Sequence, residues 1–185
     1  MDNLQQAVHV LQSGGVIAYP TEGVFGLGCD PDNQAAMLRL LAIKQRPIEK
    51  GVILIAANYE QLRPYIDENQ LTADQLAQVL ASWPAPLTWV MPASIHTPSW
   101  VRGQFDTVAV RVSNHPLVQQ LCLAFGKPLT STSANLSGQP ACTTQQEVVV
   151  QLGNKIEAVL EGKTSGHCGP SEIRDARSLQ VLRQG

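Results

Sequence analysis

Short apolar runs and helically spaced apolar residues alternate along this chain. Helical spacing predicts amphipathic helices over residues 4–11, 36–43, 72–80, 116–125 and 144–152. Continuous runs rich in β-branched and aromatic residues predict strands over residues 16–19, 52–56, 87–91, 108–112, 129–133, 156–160, 173–176 and 179–182. This alternation favours the α/β class. The short turns between the last strands indicate a mixed parallel and antiparallel sheet with flanking helices.

Capping residues support two of the helix starts. Thr72 is followed three positions later by Gln75, and Thr144 by Glu147. In this pattern each of the two side chains accepts a hydrogen bond from the other residue's backbone N–H group. We therefore expect a reciprocal capping box at both positions.

Two glycine-rich segments are predicted to be loops. Residues 20–30 contain three glycines, and residues 162–170 are polar, with three glycines and a proline. We expect the second loop to be mobile. Residues 20–30 match neither the phosphate loop of P-loop enzymes nor the dinucleotide fingerprint, so both enzyme classes are excluded. The glycines are interpreted as letting the backbone approach a ligand closely.

The composition narrows the class of protein. A length of 185 residues suggests one domain, residues 1–185. The net charge of -2 argues against a general polyanion binder, so any RNA contact must come from local clusters of cations. The four cysteines form no C-x-x-C pair, which favours reduced thiols over a metal knuckle or redox motif. No signal peptide or membrane-length apolar run is visible, and we expect a cytoplasmic protein without membrane contact.

Three cations stand close together after the second predicted helix. They are Lys44, Arg46 and Lys50, on either side of Pro47. In an extended segment Lys44 and Arg46 would project to the same side, and we expect both to face solvent. Such a cluster suits phosphate groups, which arginine binds as a planar fork and lysine as a point charge. Basic residues at the end of a helix also complement its dipole, so this segment alone leaves both interpretations open.

A polar segment, residues 130–138, begins within a predicted strand. Seven of its nine residues are Ser, Thr, Asn or Gly. In open α/β sheets, ligands bind beyond the carboxyl ends of strands, where hydroxyl and N–H groups can hold a phosphate or a carboxylate. An ordinary Ser/Thr turn would have the same composition, so this segment is also ambiguous by itself.

Five short motifs, taken in order, resemble those of the YrdC-like family of threonylcarbamoyl-AMP synthases. They are Pro20–Glu22, Lys44–Pro47, Val110–Val112, Ser131–Asn135 and Pro170–Ser171. Each motif is weak alone, but five in register are specific. The resemblance implies an α/β fold around a twisted mixed sheet, with a deep, positively charged cavity on one face.

The resemblance spans residues 8–185 and is greatest to the short bacterial members. It implies an enzyme that converts ATP, L-threonine and bicarbonate to threonylcarbamoyl-adenylate and pyrophosphate. The product would serve N6-threonylcarbamoyladenosine formation in tRNAs that read codons starting with A. It would pass to tRNA threonylcarbamoyl-transfer proteins, and direct tRNA contact through the basic cavity is a further expectation. Mg²⁺ would arrive with ATP, because no carboxylate cage or separate metal site is visible.

By position, the resemblance implies three overlapping groups of site residues. The catalytic group is Lys44, Arg46, Ser133 and Asn135. The ATP-binding group is Arg46, Lys50, Thr107, Asn135, Thr143 and Arg183. The threonine-binding group is Thr21, Arg111, Ser133 and Ser171. Arg111 is the natural partner of the substrate carboxylate, since a guanidinium can bind both oxygens.

Four residues depart from the family pattern. Gly23 stands where a larger residue such as threonine is expected, and Ile55 where some members carry a polar group. Glu172 and Arg174 follow Ser171 where the family more often has threonine and an apolar residue. These departures concern the threonine contacts more than the reaction.

Three other functions stay open from the sequence. One is a non-catalytic RNA-binding or ribosome-maturation factor that uses the same cationic cavity, against which the acidic balance weighs. A second is a domain that processes carbamoyl groups, as in hydrogenase maturation, although such domains sit in longer chains. The third is a generic α/β ligand-binding domain.

Overall fold

Strands that run in both directions form the mixed sheet in the computed structural model, which describes residues 1–167 and 169–184. In these residues there are nine strands: β1 Ile17–Pro20, β2 Phe25–Gly28, β3 Ile53–Ala56, β4 Leu87–Pro92, β5 Thr107–Val112, β6 Leu129–Ser133, β7 Ala158–Val159, β8 Glu172–Asp175 and β9 Val181–Arg183. Their order across the sheet is β7-β1-β2-β6-β3-β5-β4-β8-β9. The pairs β1–β7, β3–β5 and β4–β8 are parallel and the others antiparallel. The predicted α/β class with a mixed sheet is confirmed.

Helices cover the sheet on both faces. They are α1 Asn3–Gln12, α2 Gln34–Lys44, α3 Tyr59–Leu62, α4 Ala73–Ala81, α5 Ser99–Arg102, α6 Pro116–Phe125 and α7 Gln145–Leu152. The five longer helices lie where the apolar spacing predicts them. The four-residue helices α3 and α5 were not predicted, because one turn is too short to show a helical period.

One of the two predicted capping boxes is complete. At the start of α4 the Thr72 hydroxyl oxygen accepts a bond from the Gln75 N–H, and the Gln75 side-chain oxygen accepts one from the Thr72 N–H. At the start of α7, Thr144 accepts a bond from the Glu147 N–H, but the Glu147 carboxylate accepts from the Thr143 N–H instead. The predicted hydrogen bond from the Thr144 N–H to the Glu147 side chain is therefore wrong, since the donor is the N–H of the preceding residue.

Strand β2 corrects the prediction that residues 20–30 form a loop. It pairs antiparallel with both β1 and β6, near the centre of the sheet. The ring of Tyr19 on β1 lies over its glycines: a Cβ atom at Gly26 would come within 3.0 Å of that ring. At Gly28 a Cβ would come within 2.2 Å of the Thr130 carbonyl oxygen. The glycines in this strand thus make room for an aromatic neighbour and a backbone, which sequence patterns count as a loop signal.

The two faces of the sheet are covered unequally. Side chains from α2, α4, α5 and α7 pack with those of the strands into one large core on the first face. On the second face α1 and α6 cover the end near β1, in a smaller cluster that includes Ile17, Tyr19 and Ile55. The rest of the second face, toward β5, β4 and β8, borders the cavity described below.

Alternation along β5 assigns its residues to these two faces. Val108, Val110 and Val112 point into the large core. Thr107, Ala109 and Arg111 point to the cavity, as the two-residue period of a strand requires. The strand β5 is mostly apolar in sequence, yet its alternation places the buried cation Arg111 on the second face.

The cysteines and the membrane-spanning potential of the helices can be assessed for the residues that the structure describes. Cys29, Cys122 and Cys142 are buried free thiols, and burial raises the pKa of both Cys29 and Cys122 to about 12. Cys168 lies outside the described residues. Across the part of the chain that the structure describes, no helix is both long and apolar enough to cross a membrane.

The large core gives a test of the fold. Leu54 on β3 is fully buried in this core. Leu54→Ala should lower the free energy of unfolding by about 2–5 kcal/mol, because the loss of apolar contacts and the cavity left behind both destabilise the folded state. Leu38 on α2 is 47% exposed, and Leu38→Ala should change it by less than about 0.5 kcal/mol. Urea unfolding followed by circular dichroism measures both values. Equal effects would contradict the placement of β3.

Candidate functional site

A deep cavity of about 640 Å³ opens on the second face of the sheet. This volume is in the range that holds a nucleotide or a drug-sized molecule. Five cationic side chains are on its lining, Arg46, Lys50, Arg102, Arg111 and Arg183. Among the lining residues that the structure describes there is no carboxylate. The cavity therefore favours an anion with several charges.

The floor of the cavity holds a buried ion pair. Arg111 on β5 is 6% exposed and Glu22, after β1, is 3% exposed, with 3.8 Å between Nη1 and Oε1. Glu22 also accepts hydrogen bonds from the Ser113 hydroxyl at 2.7 Å and from the Asn114 N–H at 3.0 Å. Burial alone would raise the pKa of Glu22, but Arg111 and these two donors outweigh it and lower that pKa. Glu22 is therefore ionised and fixes the position of Arg111.

A segment that we call the strap, residues 163–167, lies against Thr21 and Glu22. The Ser165 N–H donates to the Thr21 carbonyl oxygen at 3.2 Å, and the His167 N–H donates to the Glu22 carbonyl oxygen at 2.9 Å. These bonds tie the predicted loop to the floor of the cavity.

His115 holds the other end of the strap. Its Nδ1 accepts a bond from the Leu117 N–H, so Nε2 carries the proton and donates to the Lys163 carbonyl oxygen at 2.6 Å. The same imidazole therefore caps α6 and anchors the strap. No pattern in the sequence indicated this contact.

Gly23 fits closely against Gly169, two positions beyond the end of the strap. A Cβ atom at Gly23 would lie 1.8 Å from the carbonyl oxygen of Gly169. A larger residue at this position would push away the backbone that precedes Pro170 and Ser171, both on the cavity lining. The departure noted at Gly23 thus has a physical reason in this chain.

The geometry around Lys44 and Arg46 differs from the predicted extended segment. Lys44 is the last residue of α2, and Gln45 turns the chain in the left-handed conformation, with φ of 49°. Arg46 then points to the cavity, and its Nε donates to the Gly51 carbonyl oxygen at 2.9 Å. Neither side chain is fully solvent-facing, since both are only partly exposed. The prediction that both cations face solvent from an extended segment is therefore wrong.

Lys44 binds the polar segment after β6. Its Nζ donates to the Ser133 carbonyl oxygen at 2.7 Å, and to the carbonyl and side-chain oxygens of Asn135 at 2.9 and 2.6 Å. Three acceptors match the three N–H groups of an ammonium. The Ser133 hydroxyl donates to the same Asn135 side-chain oxygen at 2.6 Å. Lys44 therefore positions the S-x-N segment, of which Ser133 lines the cavity.

Arg183 on β9 borders the cavity at the far edge of the sheet. Its Nε and Nη2 donate to the Ser171 carbonyl oxygen at 3.2 and 2.7 Å. The Ser171 hydroxyl lies 2.7 Å from that of Thr88. Burial, and then the charges of Arg111 and Arg46, lower the pKa of Arg183. Arg183 thus adds a further positive charge to a site that already contains Arg111 and Arg46.

The structure places the predicted site residues in two groups. Eight lie on the cavity lining: Thr21, Arg46, Lys50, Thr107, Arg111, Ser133, Ser171 and Arg183. Lys44 and Asn135 lie behind Ser133, and Thr143 is exposed and bonded to Glu147. Contact of any of these eleven residues with a substrate stays a prediction.

Two residues that the sequence reasoning did not assign are also at the site. Glu22 is part of the quoted Pro20–Glu22 motif, but its pairing with Arg111 depends on a contact between distant strands. Arg102 lines the cavity from α5, a helix too short to predict.

In residues 1–167 and 169–184 no three His, Cys, Asp or Glu side chains lie together as a metal site requires. The described lining offers hydroxyl groups and cations. Mg²⁺ is commonly held by phosphates, a few protein oxygens and water, so this donor set fits a metal carried by a nucleotide.

The fold and the site define a class, an α/β domain with a cation-lined cavity on one face of a mixed sheet. The model of the family described as "Telomere recombination", whose name combines Sua5, YciO and YrdC, matches residues 9–185. The chain belongs to this family.

Relatives and solved structures agree with this membership. The threonylcarbamoyl-AMP synthase of Vibrio cholerae is 85% identical over 185 residues, covering 100% of this chain and 98% of that protein. The structure of P. abyssi Sua5 complexed with L-threonine is similar with a TM-score of 0.86 and 31% identity. That match covers 93% of this chain and 50% of the Sua5 chain, so the present chain spans about half of it. E. coli YciO is similar with a TM-score of 0.86 and 25% identity, covering 98% of this chain and 88% of YciO.

The contact at Gly23 yields a test of the strap. Gly23→Ala should displace the backbone at Gly169 and weaken the bonds at Ser165 and His167, lowering the free energy of unfolding by about 1–3 kcal/mol. Hydrogen exchange should be faster at those two amides. Ser137→Thr, in an exposed loop, is the control. Unchanged exchange in the Gly23 variant would show that the strap does not depend on this contact.

The position of Lys44 yields a pH prediction. Burial, and then the charge of Arg46, lower the pKa of Lys44 to about 8. Only the protonated form has three N–H groups for Ser133 and Asn135, so affinity for an anionic nucleotide should be full below this pKa. It should fall as pH rises through about 8, because the proton is then lost.

Titration calorimetry with ATP between about pH 7 and about pH 9.5, a range that extends to both sides of that pKa, measures the effect. Lys44→Met should bind more weakly and show no such slope. A slope that is the same in both proteins would assign the titration to another group.

Proposed function

We propose that this protein is a threonylcarbamoyl-AMP synthase, which makes L-threonylcarbamoyl-adenylate and pyrophosphate from L-threonine, bicarbonate and ATP. The observation that carries the proposal is one cavity with a buried arginine at its floor and four further cations around it. An amino-acid carboxylate and a polyphosphate fit these two parts. Full-length identity of 85% with a protein that has this name supports the same activity.

Threonine would bind at the floor. The Arg111 guanidinium, held by Glu22, presents a planar fork for the substrate carboxylate. The Ser171 and Thr21 side chains lie on the same lining and offer hydroxyl groups to the substrate's polar atoms. The L-threonine complex of the related Sua5 is consistent with this choice of amino acid.

ATP would bind along the cationic wall. Arg46 and Lys50 would contact the phosphates, with Thr107 beside them and Arg183 across the cavity. We expect Mg²⁺ to arrive on the triphosphate, where it would neutralise charge on the leaving pyrophosphate. The apolar lining residues Val24, Val52, Ala141 and Leu182 leave room for the adenosine.

The reaction needs positioning more than proton transfer. The threonine amine attacks the carbon of bicarbonate, and loss of water leaves a carbamate. A carbamate oxygen then forms a bond to the α-phosphorus of ATP, and the bond to the bridging oxygen breaks with pyrophosphate as leaving group. Arg46 and Lys50 would stabilise the negative charge that develops there. The enclosed floor would protect the carbamate from water.

The product is a reactive mixed anhydride and needs an acceptor nearby. We propose that it passes to proteins that transfer the threonylcarbamoyl group to tRNA, in the cytoplasm where ATP, threonine and tRNA are present. Direct contact of tRNA with the cationic mouth belongs to the same proposal. The alternative is a non-catalytic RNA-binding role. In that case RNA binding would not depend on threonine.

Pyrophosphate release tests the activity. Release from Mg-ATP should require threonine and bicarbonate together and should be absent with either alone. Arg46→Ala should lower the rate by roughly 10²–10³-fold, because it removes a charge at the leaving group. Arg63→Ala is the matched control, since Arg63 pairs with Glu60 and Glu68 outside the cavity.

Release without threonine, or full activity in the Arg46 variant, would contradict the assignment. No release from a folded sample, together with RNA binding, would support the alternative role.

A further inference from the structure

Arg102 is the one cation of the described lining that has no role in the site developed so far. It is the last residue of α5 and is partly exposed. Its Nη1 donates to the Phe105 carbonyl oxygen at 3.0 Å, which fixes the guanidinium at the cavity wall. Its remaining N–H groups have no acceptor among the residues that the structure describes, so they can bind a second acceptor.

The backbone around Arg102 is fixed to the segment that carries Lys50. The Val52 N–H donates to the Val101 carbonyl oxygen at 2.9 Å, and the Gln104 N–H to the Glu49 carbonyl oxygen at 2.9 Å. These bonds dock α5 on residues 49–52.

Two glycines make this docking close. Gly51 and Gly103 have φ of 71° and 68°, and a Cβ atom at Gly103 would lie 2.3 Å from the Glu49 carbonyl oxygen. The Gly51 carbonyl oxygen also accepts the bond from Arg46. Arg46, Lys50 and Arg102 are therefore presented to the cavity from one rigid unit.

These three cations are not neutralised within the protein. In residues 1–167 and 169–184 no salt bridge involves Arg46, Lys50 or Arg102. Grouping like charges without a counter-ion costs free energy that a bound anion recovers. A fixed guanidinium with unused N–H groups is the form that binds phosphate oxygens in pairs.

We infer that Arg102 binds the terminal phosphates of ATP, the part that leaves as pyrophosphate. This inference rests on the proposed function. With the threonine carboxylate at Arg111 on the floor, the α-phosphorus must lie next to the floor for the carbamate to reach it. The β- and γ-phosphates then extend toward the mouth, where Lys50 and Phe105 are exposed and Arg102 lies.

A role of Arg102 at the terminal phosphates should affect the binding of ligands that contain the pyrophosphate group, and it should not affect a ligand that has only the adenosine and the α-phosphate. Arg102→Ala should weaken binding of both Mg-ATP and inorganic pyrophosphate by roughly 10- to 100-fold, the effect of losing a charged hydrogen-bonding group. AMP and L-threonine should bind as to the unchanged protein. Arg102→Lys should recover part of the affinity, because it restores the charge but not the fork.

Titration calorimetry on the full chain with these four ligands measures the affinities, with Arg63→Ala as the control. Unfolding midpoints check each fold, and Arg102→Gln replaces the alanine variant if that variant is destabilised. Unchanged affinity for pyrophosphate, or equal losses for AMP and ATP, would overturn the role of Arg102. Failure of the unchanged protein to bind either ATP or pyrophosphate would overturn the proposed function as well.

Discussion

The ion pair between Glu22 and Arg111 is the interaction on which the site depends. A buried arginine without compensation would be strongly unfavourable, because its charge loses water. Glu22 supplies the opposite charge and is itself held by the Ser113 hydroxyl and the Asn114 N–H. The main chain of the same residue accepts the bond from His167. One residue therefore orients the cation at the floor and fixes the strap beside it.

The other cations of the cavity differ from Arg111, because they have no carboxylate partners among the described residues. The protein holds them in place with backbone carbonyls instead: Gly51 for Arg46, Phe105 for Arg102 and Ser171 for Arg183. Carbonyl groups fix the geometry of a guanidinium without cancelling its charge. The result is a site whose floor is electrically balanced and whose walls are positive, which suits a small amino acid below a polyphosphate.

Much of the architecture could be predicted from the sequence, because most strands and helices are regular enough to show a period. The strands from β3 to β6 and the five longer helices lie within about two residues of their predicted bounds, a normal error at element ends. Strand β2 could not be predicted, because its glycines are explained only by the ring of Tyr19 on β1 and the Thr130 carbonyl group on β6. The short helix α5, which carries Arg102, has too few residues for any pattern.

In the site, too, local sequence motifs predicted which residues take part, but they did not predict the contacts between residues far apart in the chain. Eight of the predicted residues line the cavity, because the strands and turns that carry them meet on one face of the sheet. Lys44 was expected to face solvent, but a left-handed turn at Gln45 separates it from Arg46. Its side chain binds Ser133 and Asn135, about ninety residues away. Contacts of this length leave no trace in a local pattern.

The central claim is that carbon from bicarbonate, threonine and the adenylate become parts of one molecule in this cavity. Incubation with Mg-ATP, L-threonine and carbon-13-labelled bicarbonate, followed at once by mass spectrometry, tests it directly. We expect a threonylcarbamoyl-adenylate that is heavier by the labelled carbon, and none from an Arg111→Ala variant. An unlabelled threonyl-adenylate, or AMP alone with no labelled intermediate, would show that the proposed reaction does not take place in this cavity.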